Sequence, residues 1–140
     1  VDNDPLQRFV DAQDSGGTYE RALAELRAGH KTSHWMWFVF PQRAGLGQSE
    51  MSRTYAIASP AEARDYVDHP ILGPRLAECA EALLGHEDRS AMEILGAIDA
   101  VKLRSSITLF AGVAPEQPVF QQVLDRYFDG EPDESTERWL

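Results

Sequence analysis

The sequence predicts an all-α protein: one compact domain over residues 1–140, built as an orthogonal array of short helices joined by irregular loops. Three observations carry this expectation. Helix-start signatures recur, with Ser59-Pro60-x-Glu62 and Ser90-x-x-Glu93 the clearest. Apolar residues between turn signals fall three and four positions apart. No alternating run has a visible partner strand.

Taken in order, Asp4 caps a first helix that opens at Pro5 and turns Phe9 and Val10 inward, until Gly16-Gly17 interrupts it. Thr18 caps a second helix through about Ala28, with Ala22, Leu23 and Leu26 on its apolar face and Gly29 ending it. The segment from Ser33 to Phe40 has the aromatic content of a buried strand. The missing partner strand favours a short buried helix, capped by Ser33 and stopped by Pro41. Residues 42–54 read as a polar loop. Ser59 then opens a helix to about Asp68, and Pro74 a helix carrying Leu76, Cys79, Ala80, Leu83 and Leu84. Ser90 and Glu93 form a capping box, and Asp99 caps a helix through Phe110. Pro115 or Pro118 opens the next, through about Phe128 and ended by Gly130, before a short last helix from Asp133.

Composition narrows the function classes. With 43% apolar residues, a 140-residue chain is not disordered and buries roughly two thirds of its unfolded surface without a metal or disulfide. The lone Cys79 points to a reducing compartment, and a cytoplasmic location is the expectation. The longest apolar run, Trp35 to Phe40, is far short of the roughly 20 residues of a membrane span. Asp2 and Asp4 stand where a signal peptide carries basic residues. A net charge of -10 with no basic run disfavours nucleic acid.

Two clusters mix large apolar surface with chemistry-bearing groups. The first, Gly29 to Ser49, holds Trp35 and Trp37 beside Lys31, His34 and Gln42. Its aromatic residues serve as core or wall a pocket that stacks on a flat ligand. His30 and His34 are four apart, but two histidines do not complete a zinc site, so no metal and no cofactor are expected. The Gly45-Leu-Gly-Gln-Ser49 loop lacks the lysine of a phosphate-binding P-loop. The second cluster, Asp99 to Phe110, sets Asp99, Lys102 and Ser106 along one face of a helix, with Ser105 beside them. These groups form a structural ion pair with backbone-bonded hydroxyls, or they contribute to a ligand site. Lys102 before Ser105 reverses the order of the serine–lysine nucleophile motif.

The same residues carry a family resemblance. Phe9, Ala12-Gln13, Ala22-Leu23, Glu25-Leu26 and the run Lys31-x-Ser33-His34-Trp35-x-Trp37-Phe38 are its first part. Leu46-Gly47-x-Ser49, Tyr55-Ala56, Glu62-Ala63, Tyr66, His69-Pro70-x-Leu72-Gly73-x-Arg75-Leu76 and Asp99-x-x-Lys102-x-x-Ser105-Ser106-x-Thr108-Leu109-Phe110 continue it. It reaches Phe120, Leu124, Gly130 and Asp133. The chain resembles the bacterial family designated domain of unknown function 1810, sometimes misnamed calpastatin. His30 departs from the arginine usual there. The resemblance implies a compact helical fold and brings no activity. A more remote likeness in pattern is to helical enzymes that hydrolyse ADP-ribose-type N-glycosidic linkages.

Two functions are therefore weighed. In one, the protein binds or hydrolyses a nucleotide-like or ADP-ribose-like small molecule. Lys31, Trp35, Trp37, Gln42, Lys102, Ser105 and Ser106 then bind the ligand, and His34, Asp99 or Glu25 transfers a proton. In the other, the protein is a non-catalytic structural or interaction module and both clusters are core. The first requires that distant parts of the chain meet; the sequence leaves that, and the oligomeric state, open.

Overall fold

A computed structural model describes residues 4–140, and Asp2 lies outside them. The helices are α1 (Gln7–Asp14), α2 (Thr18–Ala28), α3 (Met36–Val39), α4 (Glu50–Thr54), α5 (Pro60–Asp68) and α6 (Leu72–Leu84). They are followed by α7 (Ala91–Leu95), α8 (Ala97–Val113), α9 (Pro118–Phe128) and α10 (Glu134–Trp139). Among the described residues the only β-type pairing is an isolated bridge between Arg43 and Ile57. The fold is all-α, as the capping signals and periodicity imply.

The long helix α8 organises the rest. Leu103 and every residue from Ser105 to Phe110 are buried, so its middle is enclosed all round rather than along one stripe. Helices α5, α7, α9 and α10 pack on it, and α6 bridges α2, α5 and α9. An aromatic chain crosses the core. Phe9 meets Tyr66 edge-on at 5.2 Å, Tyr66 lies 5.3 Å from Phe110, and Phe110 lies 5.9 Å from Phe120. Such contacts add to the burial of each ring. The first turns of α8 emerge from this enclosure, leaving Ile98 and Val101 exposed.

Several caps match their sequence signals. Ser59 Oγ accepts from the Glu62 backbone N–H at 3.1 Å, and Pro60 fills the first turn of α5. Ser90 and Glu93 complete a reciprocal capping box at α7. Gly29 ends α2 in the left-handed region at φ 77°, and a Cβ there would come within 2.9 Å of His86.

Other boundaries differ from expectation, each for a local reason. Asp4 Oδ1 accepts from the Leu6 N–H in a turn, so α1 begins at Gln7 rather than Pro5. Thr18 is the first helical residue of α2, not its cap, because its hydroxyl donates back to the Ser15 carbonyl. Ser33 does not cap α3, because Glu25 takes its hydroxyl and its N–H. Glu62 reaches past Ser59 to the Ala58 N–H, leaving that capping box half formed. Helix α6 starts at Leu72, two residues before Pro74, where His69 Nδ1 accepts the Ile71 and Leu72 N–H groups. The loop 42–54 contains α4, capped by Ser49. Asp99 lies inside the first turn of α8, after Gly96, so its carboxylate is not used in capping.

Because Ser59 and Ser90 each satisfy an end-of-helix N–H, Ser59→Ala and Ser90→Ala are each expected to lower stability by about 0.5–2 kcal/mol. Chemical denaturation checks this, and unmoved midpoints in both variants would show that the caps contribute nothing.

Candidate functional site

The irregular segment 30–35 connects α2 to α3, and Glu25, from the last turn of α2, holds it in place. Glu25 Oε1 accepts from Thr32 N–H at 2.9 Å, Ser33 N–H at 3.1 Å and the Trp35 indole Nε1–H at 2.9 Å. Oε2 accepts from the Ser33 hydroxyl at 2.6 Å. Desolvation alone would raise the pKa of this carboxyl. The hydrogen bonds of Ser33, Trp35 and Thr32 outweigh it and bring the pKa from 4.5 to about 2. Trp35 is thereby fully buried with its N–H paired, and the Lys31 N–H docks on the Ile94 carbonyl of α7 at 2.8 Å.

This geometry carries Lys31 to the exposed start of α8. Lys31 Nζ lies 2.9 Å from Asp99 Oδ2, and Lys102 Nζ lies 3.3 Å from Asp99 Oδ1. Both cations also sit on tryptophans, Lys31 5.1 Å from the Trp35 ring centre and Lys102 3.6 Å from that of Trp37. The Lys31 side chain is 9% exposed, and those of Asp99 and Lys102 are 18% exposed, so solvent screens the cluster only partly. Two ammonium groups face one carboxylate, which leaves one positive charge uncompensated.

Two depressions adjoin the cluster. A small one of about 80 Å³ is lined by Lys31, His34, Trp35, Met36, Trp37, Asp99 and Lys102. A larger cleft of about 420 Å³ shares Trp37 and Lys102 with it. Its remaining walls are Leu46, Gly47, Ile98 and Val101 with Gln42, Ser105 and Asp133. This volume is in the range of small-molecule pockets, and an apolar wall with a few polar groups is their usual character. A wider depression of about 460 Å³ is bounded by only Leu84, Gln122, Asp125 and Arg126, with no aromatic ring. Another of about 240 Å³ lies beside Thr108, whose hydroxyl is already bonded to the Arg104 carbonyl and the Asp133 N–H. Neither gathers the chemistry that converges near Trp37.

The two clusters distant in sequence thus meet. Lys31, His34, Trp35, Trp37 and Gln42 from the first stand beside Asp99, Lys102 and Ser105 from the second. Glu25 borders neither cavity; its oxygens are occupied by the segment it holds, and it stays ionised far below neutral pH, so it positions rather than transfers protons. Ser106 also lies apart: it is fully buried, and its hydroxyl has no partner among the described residues. His34 is exposed at the rim. In the sequence Asp133 reads as a helix start and as a point of the family resemblance, and Leu46, Ile98 and Val101 do not stand out as part of a site. Ile98 and Val101 precede the buried stretch of α8 as bulky apolar residues flanking Asp99 and Lys102, which is the signal that could have found them.

Comparison with known proteins agrees with the all-α fold. Residues 3–140 match the model of a family described as "Protein of unknown function (DUF1810)". The chain belongs to that family. Its fold is similar to the crystal structure of the conserved hypothetical protein Rv1873 from Mycobacterium tuberculosis. The two are 45% identical, over 99% of this chain and 98% of that one, with a TM-score of 0.94. No curated protein matches the chain. Among the described residues, no helix is long and apolar enough to cross a membrane.

Because Glu25 titrates lower in the folded chain, its contribution is complete above about pH 4.5 and is lost as pH falls toward about 2. The melting temperature of the wild type should therefore drop more steeply over that interval than that of Glu25→Gln. Parallel melting curves across the interval would contradict the role of this carboxylate.

Proposed function

We propose that this DUF1810 protein binds a nucleotide-like small molecule in the cleft between α3 and the start of α8. The observation that carries the reading is the convergence of Lys31 and Lys102 on Asp99 beside Trp35 and Trp37. A purely structural ion pair needs one cation for one carboxylate. The second ammonium supplies net attraction for a phosphate or carboxylate where solvent screening is reduced. Trp37, Leu46, Ile98 and Val101 offer the apolar surface that a flat ring system covers. Gln42, Ser105 and Lys102 supply polar contacts along it.

Within this reading, ligand hydrolysis would use Asp99 and His34, the acid–base groups lining the smaller depression. An ADP-ribose-like molecule joins the required parts, a flat base, sugars and phosphates. A second reading, a protein-interaction module, is favoured by the exposed apolar side chains Met92, Ile98 and Val101. The two differ in what the lysines do, since only ligand binding needs their charge.

Titration with AMP and ADP-ribose should change tryptophan fluorescence saturably. Lys31→Ala and Lys102→Ala should each weaken the apparent affinity roughly tenfold or more, the cost of losing one charge-assisted contact, with unchanged circular dichroism. A flat titration with both nucleotides, or a response indifferent to both substitutions, would contradict the proposal.

A further inference from the structure

The cleft also receives Asp133, whose part in capping α10 uses only half of its carboxylate. Asp133 Oδ2 accepts from the Thr136 N–H at 3.2 Å and from the Thr136 hydroxyl at 2.5 Å. The same oxygen takes the hydroxyls of Ser135 at 3.2 Å and Ser105 at 3.3 Å. Oδ1 accepts from no group among the described residues. The donors on Oδ2 fix the direction of the carboxylate. Desolvation would raise its pKa, but the bonds from Thr136, Ser135 and Ser105 prevail and hold it below the usual aspartate value.

The nearby cations do not satisfy Oδ1. Arg43 gives its Nη2 to the Ser135 hydroxyl at 3.0 Å and its Nη1 to the Ala44 carbonyl, and it makes no ion pair with Asp133. Lys102, on the same cleft, is paired with Asp99. Asp133 is half-buried on the wall of the cleft, so its Oδ1 is open to a donor from whatever fills that cleft. Lys102 already stands on this cleft as its cation, so the donor assigned to Oδ1 is neutral.

Position along α8 identifies which part of the ligand supplies it. Ser105, which binds Asp133, is three residues beyond Lys102, a rise of about 4.5 Å on the same helix. A ribose separates a nucleotide's phosphate from its secondary hydroxyls by one sugar ring, a span of that order. The apolar walls at Trp37, Leu46, Ile98 and Val101 are left for the base.

We infer that Asp133 is a specificity-determining residue whose Oδ1 accepts a ribose hydroxyl of the bound nucleotide. The inference rests on the nucleotide reading above and selects ribonucleotides over their deoxy forms. It is tested by calorimetric titration of AMP, 2′-deoxy-AMP, 3′-deoxy-AMP and 2′,3′-dideoxy-AMP into the wild type and Asp133→Asn. Asparagine caps a helix about as well as aspartate, so the variant retains α10, which a thermal melt verifies. The wild type should bind AMP about tenfold or more tighter than the dideoxy form, with the two monodeoxy forms showing which hydroxyl is read. Asp133→Asn should reduce the ratio to within about twofold without lowering the affinity for 2′,3′-dideoxy-AMP. Equal binding of AMP and 2′,3′-dideoxy-AMP to the wild type would overturn the sugar contact and leave the nucleotide reading standing. Full discrimination retained by Asp133→Asn would overturn the role of Asp133. Absence of binding by all four nucleotides would overturn the nucleotide reading and this inference with it.

Discussion

The candidate site is built on a piece of chain that has no secondary structure of its own, and the Glu25 carboxylate is what orders it. Backbone N–H groups in an irregular segment need partners outside the helical ladder, and a buried indole needs one as well. Glu25 meets three such donors and the Ser33 hydroxyl at one point. With Trp35 fixed in the core and the Lys31 backbone tied to Ile94, the Lys31 side chain has a defined approach to Asp99. A glutamate that sequence logic offers as a proton-transfer group acts instead as the scaffold beneath the groups that face the cavity.

Helix α8 supplies the opposing half by being two things along its length. From Ser105 to Phe110 it is encased and contributes core. Before Leu103 its side chains are exposed or half-buried, so Asp99, Lys102, Ile98 and Val101 stand on an accessible surface at the end of a rigid rod. A polar cluster placed on a helix anchored by so much packing is held more firmly than one placed on a loop. The opposing segment 30–35 is irregular, and the Glu25 carboxylate holds it in place. Asp99 matters to this arrangement because α8 begins at Ala97, which releases its side chain from capping and lets it draw both lysines together.

Much of this was legible in the sequence where local physics dominates. Ser59, Ser90 and Asp133 cap their helices because a short oxygen-bearing side chain before a helix has few competing uses. The tryptophan cluster and the Asp99–Lys102 cluster were each legible as a mixture of charge and apolar bulk, but whether they meet was not, because that depends on how the helices between them pack. What else stayed hidden depended on tertiary competition for one atom. Ser33 and Thr18 have the chemistry of caps but donate their hydroxyls elsewhere. Ser106 shares a helix with Ser105, yet the two point to different surroundings, one into the core and one toward Asp133. The half-free carboxylate of Asp133 could not be read from spacing, because it depends on Ser105 arriving from 28 residues away.

The dependence of the site on Glu25 is most directly measured by amide and indole hydrogen exchange in Glu25→Ala. The account predicts faster exchange at Thr32, Ser33 and the Trp35 indole, with protection in α9 and the middle of α8 retained. Unchanged protection at those three donors would contradict it, because the segment that presents Lys31 and Trp35 would then be ordered by something other than this carboxylate.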